Sequence, residues 1–500
     1  MRIDNLVNQD FEKELWNSAC ELRGNIDASE YKHVVLGLIF LKYVSDKFMD
    51  KYKELIEEGE GFENDKDEYI SEGIFYVPEK ARWEEIKNYS TEESIGKVID
   101  EAMSEIEREN KRLKGVLPKN FARPELDKRK LGNIVDSFSN IKIGSHDKNK
   151  DLLGRAYEYC LSKFAEQEGK LAGQFYTPEC IVKTLVEVLK PYEGRVYDPC
   201  CGSGGMFVQS AKFIERHSHN INDISVYGQE SNATTRKLCL MNLAIRGIEA
   251  DLGPNHDDTF FNDLHPTLKA DFILANPPFN LSNWGADALK DDKRWTFGTP
   301  PAGNANYAWL QHMIYHLSTN GKLGLVLANG SLSTQAGGED KIRQKIVEND
   351  LIECIVALPP SLFYTTSIPV SLWFISKNKA QKGKTLFIDG RELGKMKNRK
   401  LRVLEESDIK KIAETVESFQ NGNYKDVLGF CKSATIEDIK KQDFILTPGR
   451  YVGFRDEQIS MEEFDDKMKR LTDELSSTMQ EGNELDLKIK ENLSKIGFDI

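Results

Sequence analysis

From about residue 151 onward, short strand-like runs alternate with helical segments in this chain. Alternation of this kind predicts an α/β domain with a mostly parallel sheet and helices on both faces. The last two runs are separated only by a loop, so they are close enough in sequence to form an antiparallel hairpin at the sheet edge. The predicted strands are residues 195–197, 224–227, 271–275, 323–327, 352–358 and 370–375.

The two ends of the chain lack this alternation. Residues 11–22 show helical spacing of apolar positions, and the apolar segment 31–48 predicts a further helix. Near the end, an apolar stripe at helical spacing suits either packing on the chain's own domain or docking on a partner. We therefore expect a helical N-terminal domain (1–150), an α/β domain (151–453) and a C-terminal helical segment (454–500). The stripe consists of Phe464, Met468, Leu471, Leu475, Met479, Leu485, Ile489, Leu493 and Ile496.

The composition is that of an ordinary soluble globular protein. With 500 residues, 39% hydrophobic and 30% charged, the chain is expected to form two or three domains. The apolar stretch 34–41 is too short to cross a bilayer and no signal-peptide pattern accompanies it, so we expect no membrane contact. Eight scattered cysteines, of which only Cys200 and Cys201 lie close together, indicate neither a disulfide framework nor a zinc site. A reducing cytoplasm is the expected location.

The tetrapeptide Asn276-Pro277-Pro278-Phe279 follows the predicted strand 271–275. Two adjacent prolines cannot continue a ladder, so the strand ends and the backbone stiffens. The stiff backbone holds the Asn276 amide oxygen and the Pro277 carbonyl oxygen as two acceptors beside the Phe279 ring. Two acceptors can bind an exocyclic amino group while the aromatic ring stacks on the flat ring that carries it. A rigid turn that binds nothing is the competing interpretation.

A glycine-rich turn, Gly202-Ser203-Gly204-Gly205, lies just beyond Asp198, which follows the first predicted strand. In sheets of this type, ligands bind outside the carboxyl ends of the strands. A glycine turn there lets backbone amides approach a ligand closely, and the following helix N-terminus favours a carboxylate or a phosphate. A lone glycine pattern is weak evidence, so the acidic residues that follow matter.

Acidic residues follow the next two strand positions. Glu230 ends the second strand region and can accept both hydroxyl groups of a ribose, although a surface acid at the start of a helix is the competing interpretation. Asp257 and Asp258 follow a region that could hold a third strand, and an acid there can accept an adenine amino group. The linear order of glycine turn, ribose acid, adenine acid and amine-binding tetrapeptide fits a nucleoside cofactor whose reactive end points at the tetrapeptide.

The sequence lacks the motifs that several other classes of reaction require. The sequence has no Walker-type phosphate loop and no His/Cys cluster at metal-binding spacing, so we expect no bound metal. Ser203 has no obvious base, which weakens an acyl-transfer interpretation. Methyl transfer from S-adenosylmethionine needs none of these parts. Its sulfonium is already a good leaving group, so the enzyme has only to align a nucleophile with the methyl group and desolvate the site.

Taken together, these motifs closely resemble those of the modification (M) subunit of type I restriction-modification systems, a family of N6-adenine DNA methyltransferases. The resemblance covers nearly the whole chain and implies a Rossmann-like class I S-adenosylmethionine-dependent methyltransferase domain after a helical N-terminal domain. Residues 386–440 match no family motif, so we assign them no function. The matching segments are residues 22–27, 173–178, 198–205, 276–279, 358–364 and 446–452.

The resemblance implies a function for each residue that matches a family motif. Asn276 and Pro277 of the catalytic tetrapeptide would polarise the N6 of a flipped adenine, and Phe279 would stack on it. Glu230 would hold the ribose of S-adenosylmethionine, and Asp258 is favoured over its neighbour for the cofactor adenine. The residues implied for the cofactor pocket are Gln174, Phe175, Tyr176, Thr177, Pro178, Glu179, Asp198, Gly202, Ser203, Gly204, Gly205, Glu230 and Asp258.

The family also implies partners. A separate specificity (S) subunit reads the sequence of double-stranded DNA, two M subunits flank it, and the sequence leaves open whether a restriction (R) subunit joins them. A net charge of −13 disfavours DNA binding by the chain alone, because phosphate contacts dominate affinity. Basic runs at 111–114, 128–130 and 395–402 are candidate patches, although any one such run is more often a solvated surface.

Two other functions share part of the pattern. A methyltransferase that acts on a glutamine amide or an RNA base uses the same Asn-Pro-Pro-aromatic grip, but such chains are usually shorter and lack the helical N-terminal domain. A non-enzymatic subunit in which bound S-adenosylmethionine only signals would not need an intact Asn276 and Phe279. The sequence therefore favours a DNA adenine methyltransferase.

Overall fold

The computed structural model describes residues 15–17, 20, 28–140, 152–168, 176–217, 220–364, 366–453 and 464–495. By its internal contacts the chain divides into two compact units, Met1–Val452 and Gly453–Ile500. The first unit contains a helical N-terminal part followed by an α/β part, and the second contains one long helix.

The N-terminal part of the first unit is helical, and no strand occurs among its described residues. The helix predicted over residues 31–48 is confirmed and is longer at both ends. The spacing seen at residues 11–22 falls almost entirely outside the described residues. The helices are α1 (Ala28–Glu58), α2 (Lys66–Ser71), α3 (Trp83–Lys87), α4 (Ile95–Glu109), α5 (Lys128–Asn140) and α6 (Leu152–Glu168).

These helices bury their apolar faces in a shared core. In α4, Ile95, Ile99 and Ile106 are separated by four and seven residues, so they lie on one face, and all three are buried. The core continues into the helix Ala233–Ile245 of the α/β part. There the Tyr43 hydroxyl donates to the Ile245 carbonyl at 2.5 Å. The helical part is thus packed directly onto the α/β part.

The α/β part is built on a large sheet. Its strands are β1 (Gly194–Asp198), β2 (Ile224–Gly228), β3 (Ala250–Asp251), β4 (Ala270–Ala275), β5 (Leu317–Ala328), β6 (Ile352–Ala357), β7 (Val370–Ser376), β8 (Lys384–Asp389), β9 (Lys395–Met396), β10 (Arg402–Val403) and β11 (Cys431–Thr435). Among the described residues, nine of these form one sheet in the order β11-β8-β6-β7-β5-β4-β1-β2-β3, while β9 and β10 pair separately. Five of the sheet's eight neighbouring pairs are parallel, which confirms the predicted mostly parallel sheet.

Helices cover both faces of this sheet, as predicted. Successive strand residues point to opposite faces, so Val196 of β1 joins one core and Tyr197 the other. The first core contains α7, α8 and α12, and the second contains α10 and α11. The helices of this part are α7 (Glu179–Leu189), α8 (Gly205–Arg216), α9 (Ala233–Ile245), α10 (Asn306–His316), α11 (Glu339–Glu348), α12 (Glu406–Gln420) and α13 (Ile436–Lys441).

One expectation about the sheet is wrong. β6 and β7 do pair antiparallel, but β7 lies between β5 and β6, so the pair is inside the sheet and not at its edge. The position is physically reasonable because both strands are buried along their whole length. The sheet is extended beyond β6 by β8 and β11, which lie mostly in the stretch 386–440 that matched no motif.

The second unit contains the helix α14 (Phe464–Lys495), where the sequence predicts a long polar helix. The described apolar positions Met468, Leu475 and Met479 lie on it at helical spacing and are exposed. Among the described residues, no helix is long and apolar enough to cross a membrane.

Candidate active site

The loops that follow β1 and β4 meet at one edge of the sheet. β1 pairs in parallel with β2 on one side and with β4 on the other, so the chain changes direction across the sheet at this point. Open α/β sheets bind ligands in the crevice that such a change of direction creates at the carboxyl ends of the strands. Asp198 ends β1 and Asn276 follows β4 directly. Both candidate motifs therefore lie at this crevice.

The glycine-rich turn adopts conformations that require glycine. Gly202 and Gly204 have φ angles of 54° and 83°, in the left-handed region that side chains disfavour. The Gly204 amide donates to the Cys201 carbonyl at 2.8 Å, and a Cβ at Gly204 would come within 2.9 Å of Cys239 Sγ. Helix α8 begins at Gly205, where a Cβ would meet no atom within 4 Å. The turn thus opens a helix N-terminus without a side chain to cover it.

Two buried carboxyl groups hold this turn in place. Asp198 Oδ1 accepts a hydrogen bond from the Cys200 amide at 3.0 Å. Glu230 Oε2 accepts from the Gly202 amide at 3.0 Å, and its Oε1 accepts from the Asn232 amide at 2.8 Å. Burial raises the pKa of Asp198 to about 7, with a smaller contribution from the charge of Glu230. Burial also raises the pKa of Glu230 above its usual value, so a cationic or hydrogen-bond-donating ligand would stabilise both ionised groups.

Asn276 presents an unpaired acceptor. Its Nδ2 donates to Thr177 Oγ1 at 3.0 Å, which defines the orientation of the amide. The other atom of the amide, Oδ1, is buried and has no hydrogen-bond partner among the described residues. An unpaired buried acceptor costs about 1–3 kcal/mol, so its presence calls for a donor that is not part of the described chain. Pro277 and Pro278 follow at once and keep the backbone stiff.

The Phe279 ring is oriented by a second aromatic side chain. It packs edge to face against Phe363, with ring centroids 5.5 Å apart and an interplanar angle of 85°. Phe363 is buried, whereas Phe279 is only partly buried. The neighbouring ring of Tyr364 lies 6.3 Å from that of Tyr176. The segment that carries Phe363 and Tyr364 therefore supports both the tetrapeptide and the residues that lead into α7.

A cavity of about 620 Å³ adjoins the crevice. Its wall reaches five predicted cofactor residues, but it does not include Asp198, Glu230, Asp258 or Asn276. Gln174 and Phe175 lie outside the described residues. The five wall residues are Tyr176, Thr177, Pro178, Glu179 and Gly205.

The two acids predicted as candidates for the cofactor adenine differ in their hydrogen bonds within the chain. Both oxygens of Asp257 are occupied, Oδ1 by the Asp258 amide at 2.9 Å and Oδ2 by Asn262 Nδ2 at 2.6 Å. Asp258 accepts from the amides of Phe260 and Phe261 through Oδ1 alone, at 2.8 and 3.3 Å. The other oxygen of Asp258 has no hydrogen-bond partner among the described residues and can accept from a ligand.

Backbone hydrogen bonds connect the glycine turn, Glu230 and the loop that carries Asp258. The Cys201 amide donates to the Gln229 carbonyl at 2.9 Å, and the Asp257 amide donates to the Glu230 carbonyl at 3.2 Å. Within the turn, Ser203 is buried, and its carbonyl accepts from Asn242 Nδ2 at 2.8 Å. The glycine turn, Glu230 and the loop with Asp258 are thus held together, while Asn276 is tied to Thr177.

Comparison with known proteins places this architecture in a family. A family model described as N-6 DNA Methylase matches residues 148–459, and one described as HsdM N-terminal domain matches residues 11–138. The chain belongs to the N-6 DNA methylase family. The resemblance drawn from the sequence motifs is therefore confirmed.

Two curated relatives of this N-6 DNA methylase are similar along most of their length. The type I restriction enzyme HindI methylase subunit of Haemophilus influenzae is 47% identical over 85% of this chain and all of its own. The MjaIX methylase subunit of Methanocaldococcus jannaschii is 43% identical over 98% of this chain and 92% of its own. The protein is accordingly a methylase subunit of the type I restriction class.

A solved structure confirms the fold class. The type I restriction-modification system methyltransferase subunit from Streptococcus thermophilus superposes with a TM-score of 0.77 and is 26% identical. The match covers 89% of this chain and 99% of that chain. The α/β methyltransferase fold that follows a helical N-terminal region is therefore shown for this family member.

Sequence reasoning missed one buried residue that supports the site of this methylase. Arg294 is 5% exposed, and its guanidinium donates to the carbonyls of Thr259 at 3.0 Å and Phe260 at 2.5 Å. It is held in turn by a two-point ion pair with Asp292. The carbonyls that it binds directly follow Asp258, so Arg294 fixes the loop that carries this acid. In the sequence, Arg294 is one of several charged residues in a long loop, and no motif distinguishes it.

A histidine cluster lies behind Arg294. Possible ligand atoms of Asp263, His312 and His316 lie within 4.8 Å of one another. Each already has a hydrogen-bond partner: His316 contacts Asp263 Oδ2 at 2.9 Å and His312 contacts Arg294 Nη1 at 3.1 Å. The bond to His316 offsets burial and lowers the pKa of Asp263 to about 2. The remaining ring nitrogens contact Tyr197 and a backbone carbonyl, so the cluster is a support for Arg294.

Proposed function

We propose that this chain is the modification subunit of a type I restriction-modification system and transfers a methyl group to the N6 of an adenine in DNA. The observation that carries the proposal is the buried, unpaired Oδ1 of Asn276, which directly follows β4. An exocyclic amino group supplies the donor that this atom lacks. The flat ring attached to that group would stack on Phe279, which is held edge to face by Phe363.

The residues present suit S-adenosylmethionine as the methyl donor. The open helix N-terminus at Gly205 suits its carboxylate, since backbone amides there favour an anion. Asp198 and Glu230 offer acceptors to its ammonium and ribose hydroxyl groups, and the free oxygen of Asp258 suits its adenine amine. When bound, the cofactor supplies a methyl group on a sulfonium that is a good leaving group.

The chain's own residues position the attacking nitrogen. The Asn276 Oδ1 and the Pro277 carbonyl would accept the two hydrogens of the adenine amino group, which turns the nitrogen lone pair toward the methyl group. These acceptors become stronger partners as the nitrogen gains positive charge, so they favour the transition state over the ground state. The base must first leave the DNA stack, at a cost of a few kcal/mol that stacking and hydrogen bonds in the pocket offset.

A separate specificity subunit would choose the DNA sequence, with two modification subunits flanking it. The net charge of −13 supports a partner that supplies DNA affinity. We propose α14 as the element that docks on this partner, because Met468, Leu471 and Leu475 are all exposed on it. An exposed apolar stripe of this length is a liability without a partner surface.

Methyl transfer to DNA tests the enzymatic proposal. Transfer of a tritiated methyl group from S-adenosylmethionine should appear in duplex DNA when the chain is purified with its co-encoded specificity subunit, and N6-methyladenine should be the product. The chain alone should show little transfer. Label in RNA or protein instead of DNA would contradict the proposal, as would label on cytosine.

Removal of α14 tests the docking proposal separately. The chain truncated after Gly453 should bind S-adenosylmethionine normally but elute apart from the specificity subunit on size exclusion. A matched full-length control carries Lys469→Gln and Lys488→Gln on the same helix, which keeps the apolar stripe. Normal complex formation by the truncated chain would show that the stripe does not dock on this partner.

A further inference from the structure

The basic segment 395–402, which the proposed function does not use, forms a rigid hairpin. β9 and β10 pair antiparallel, with Lys395 opposite Val403. At the tip, Asn398 Oδ1 accepts from the Lys400 and Leu401 amides at 2.9 and 2.8 Å. A side chain that closes the turn in this way reduces the conformational freedom of the tip. The backbone therefore presents the basic residues of the tip at defined positions, from which their side chains extend into solvent.

The tip carries cations that the chain does not neutralise. Lys397, Arg399 and Lys400 are exposed, and none has an ion-pair partner among the described residues. Of the hairpin's five cations, Lys395 pairs with Glu405 at 3.0 Å. This occurs in a chain with 81 acidic and 68 basic residues, where neutralising carboxylates are plentiful. An unpaired basic tip in an acidic protein is a local site for anions.

The other two basic runs differ in this respect. Lys128 donates to the carbonyls of Phe121 and Arg123 at 2.8 and 2.6 Å. Arg112 forms an ion pair with Glu249. Lys111, Lys114 and Arg129 of these runs are exposed and have no ion pair among the described residues, so the difference is one of number: the hairpin has three such cations at a single turn.

The base of the hairpin is connected to the catalytic tetrapeptide. The Arg402 amide donates to the Ser361 carbonyl at 2.8 Å, and its guanidinium donates to the Leu393 carbonyl at 3.1 Å. Ser361 lies two residues before Phe363, whose ring packs on Phe279. A single short segment therefore contacts the hairpin on one side and the catalytic aromatic ring on the other.

The hairpin also contributes to the cavity beside the crevice. Lys397 and Arg402 line its wall together with Thr177, the residue that orients the Asn276 amide. A base that reaches Asn276 remains covalently attached to its sugar and phosphates. The backbone of that strand must then pass close to the crevice, where an exposed cationic tip is available.

We propose that the β9–β10 hairpin binds the sugar–phosphate backbone of the DNA strand that carries the target adenine, through Lys397, Arg399 and Lys400. This inference rests on the proposed function. Backbone contacts of this kind position a duplex without reading its sequence, which suits a subunit whose sequence is chosen by a partner. The closeness to Phe279 and to the cavity favours DNA over an acidic protein surface as the occupant.

Salt-dependent DNA binding tests the inference. In the complex with the specificity subunit, the triple variant Lys397→Gln, Arg399→Gln and Lys400→Gln should bind duplex DNA about 10- to 100-fold more weakly at low salt. Each lost phosphate contact should lower the slope of log affinity against log salt by about 0.9, so the slope should fall by about 2–3. The matched control is Lys425→Gln, Lys432→Gln and Lys440→Gln near the β11 edge, which removes the same charge and should bind nearly as the wild type does.

The outcomes separate the two proposals. A wild-type complex that binds S-adenosylmethionine but methylates no DNA would overturn the proposed function, and the hairpin inference with it. A wild-type complex that methylates DNA, with a triple variant of unchanged salt slope and normal thermal unfolding, would overturn the hairpin inference alone. Loss of the specificity subunit from the triple variant on size exclusion would assign the hairpin to a protein partner instead and would also overturn it.

Discussion

The polar side chains on the two sides of the crevice differ in whether they have hydrogen-bond partners within the chain. On the side of β1 and β2, Asp198 and Glu230 already accept backbone amides, and burial raises the pKa of both. On the side of β4, Asn276 keeps one amide oxygen buried and unpaired. The polar groups of the first side are already hydrogen-bonded to one another, and a bound ligand would further stabilise their ionised forms. The second side lacks a hydrogen-bond donor for the Asn276 oxygen. On this difference rests our proposal that the cofactor binds on the first side and the reacting amino group on the second.

We expect the largest effect on methyl transfer from substitution of Asn276, on the β4 side of the crevice. Asn276→Ala should lower methyl transfer by about 10²-fold or more, because it removes an acceptor whose bond strengthens in the transition state. Single-turnover transfer of a tritiated methyl group to DNA measures it. Asn349→Ala, an exposed substitution at the end of α11, is the matched control and should leave the rate unchanged. Wild-type turnover in Asn276→Ala would contradict the proposal that Asn276 binds the adenine amino group.

The next effect concerns Glu230, on the side of β1 and β2. Glu230→Ala should weaken S-adenosylmethionine and its demethylated product alike, by roughly 1.5–3 kcal/mol for a lost charge-assisted hydrogen bond. Calorimetric titration of both ligands measures this. Glu187→Ala, which removes a surface ion pair with Arg216, provides the control. Unchanged dissociation constants for both ligands would reduce Glu230 to a support for the Gly202 amide.

A smaller effect is expected from a substitution that weakens the hydrogen bonds between Arg294 and the loop that carries Asp258. Arg294→Lys keeps the charge but cannot bind the Thr259 and Phe260 carbonyls and Asp292 together. The KM for S-adenosylmethionine should rise about 10-fold while kcat changes little, since Arg294 acts through the position of Asp258. Arg195→Lys is the control, because Arg195 forms a similar ion pair with Asp271 at the opposite ends of the strands. An equal loss of kcat in Arg294→Lys would indicate a general structural defect.

A separate effect, on folding and not on binding or turnover, is a pH-dependent change in stability. The pKa of Asp198 is raised to about 7 by burial, whereas in the unfolded chain it is near 3.9, so ionisation costs native stability as the pH rises from about 4 to about 7. Asp198→Asn removes that cost. Its gain in unfolding free energy over the wild type should grow by about 3 kcal/mol between pH 5 and pH 8, in the absence of ligand. Denaturant unfolding at both pH values measures it, and a pH-independent difference would contradict the raised pKa.

The sequence predicted the central strands and both motif loops, because each apolar run is local and the turns that end it carry their own signals. It did not predict that β7 lies between β5 and β6, since strand order depends on pairing between distant segments and not on local pattern. Nor did it predict β8 or β11, which lie where no motif could be recognised. The strand signals identified six runs that form the centre of the sheet, but not the order in which these strands pair.

For the candidate site, too, the local residue types could be predicted but the contacts between distant residues could not. The residue types at 198–205 and 276–279 indicated a nucleotide-like ligand and an amine, and those positions do meet at the crevice. The bond from Asn276 to Thr177 joins residues that are 99 positions apart, and Arg294 reaches the Asp258 loop across more than thirty positions. Contacts of this kind arise only in the folded chain, so no local pattern reveals which atom of Asn276 is left unpaired.

The most direct test of the difference between the two sides is a parallel titration of S-adenosylmethionine. Wild type, Asn276→Ala and Glu230→Ala are titrated calorimetrically at one pH, after their thermal unfolding midpoints have been matched. We predict that Asn276→Ala binds the cofactor within about threefold of the wild type, while Glu230→Ala binds it at least about 10-fold more weakly. Equal weakening in both variants would contradict the separation of a cofactor side from an amine side.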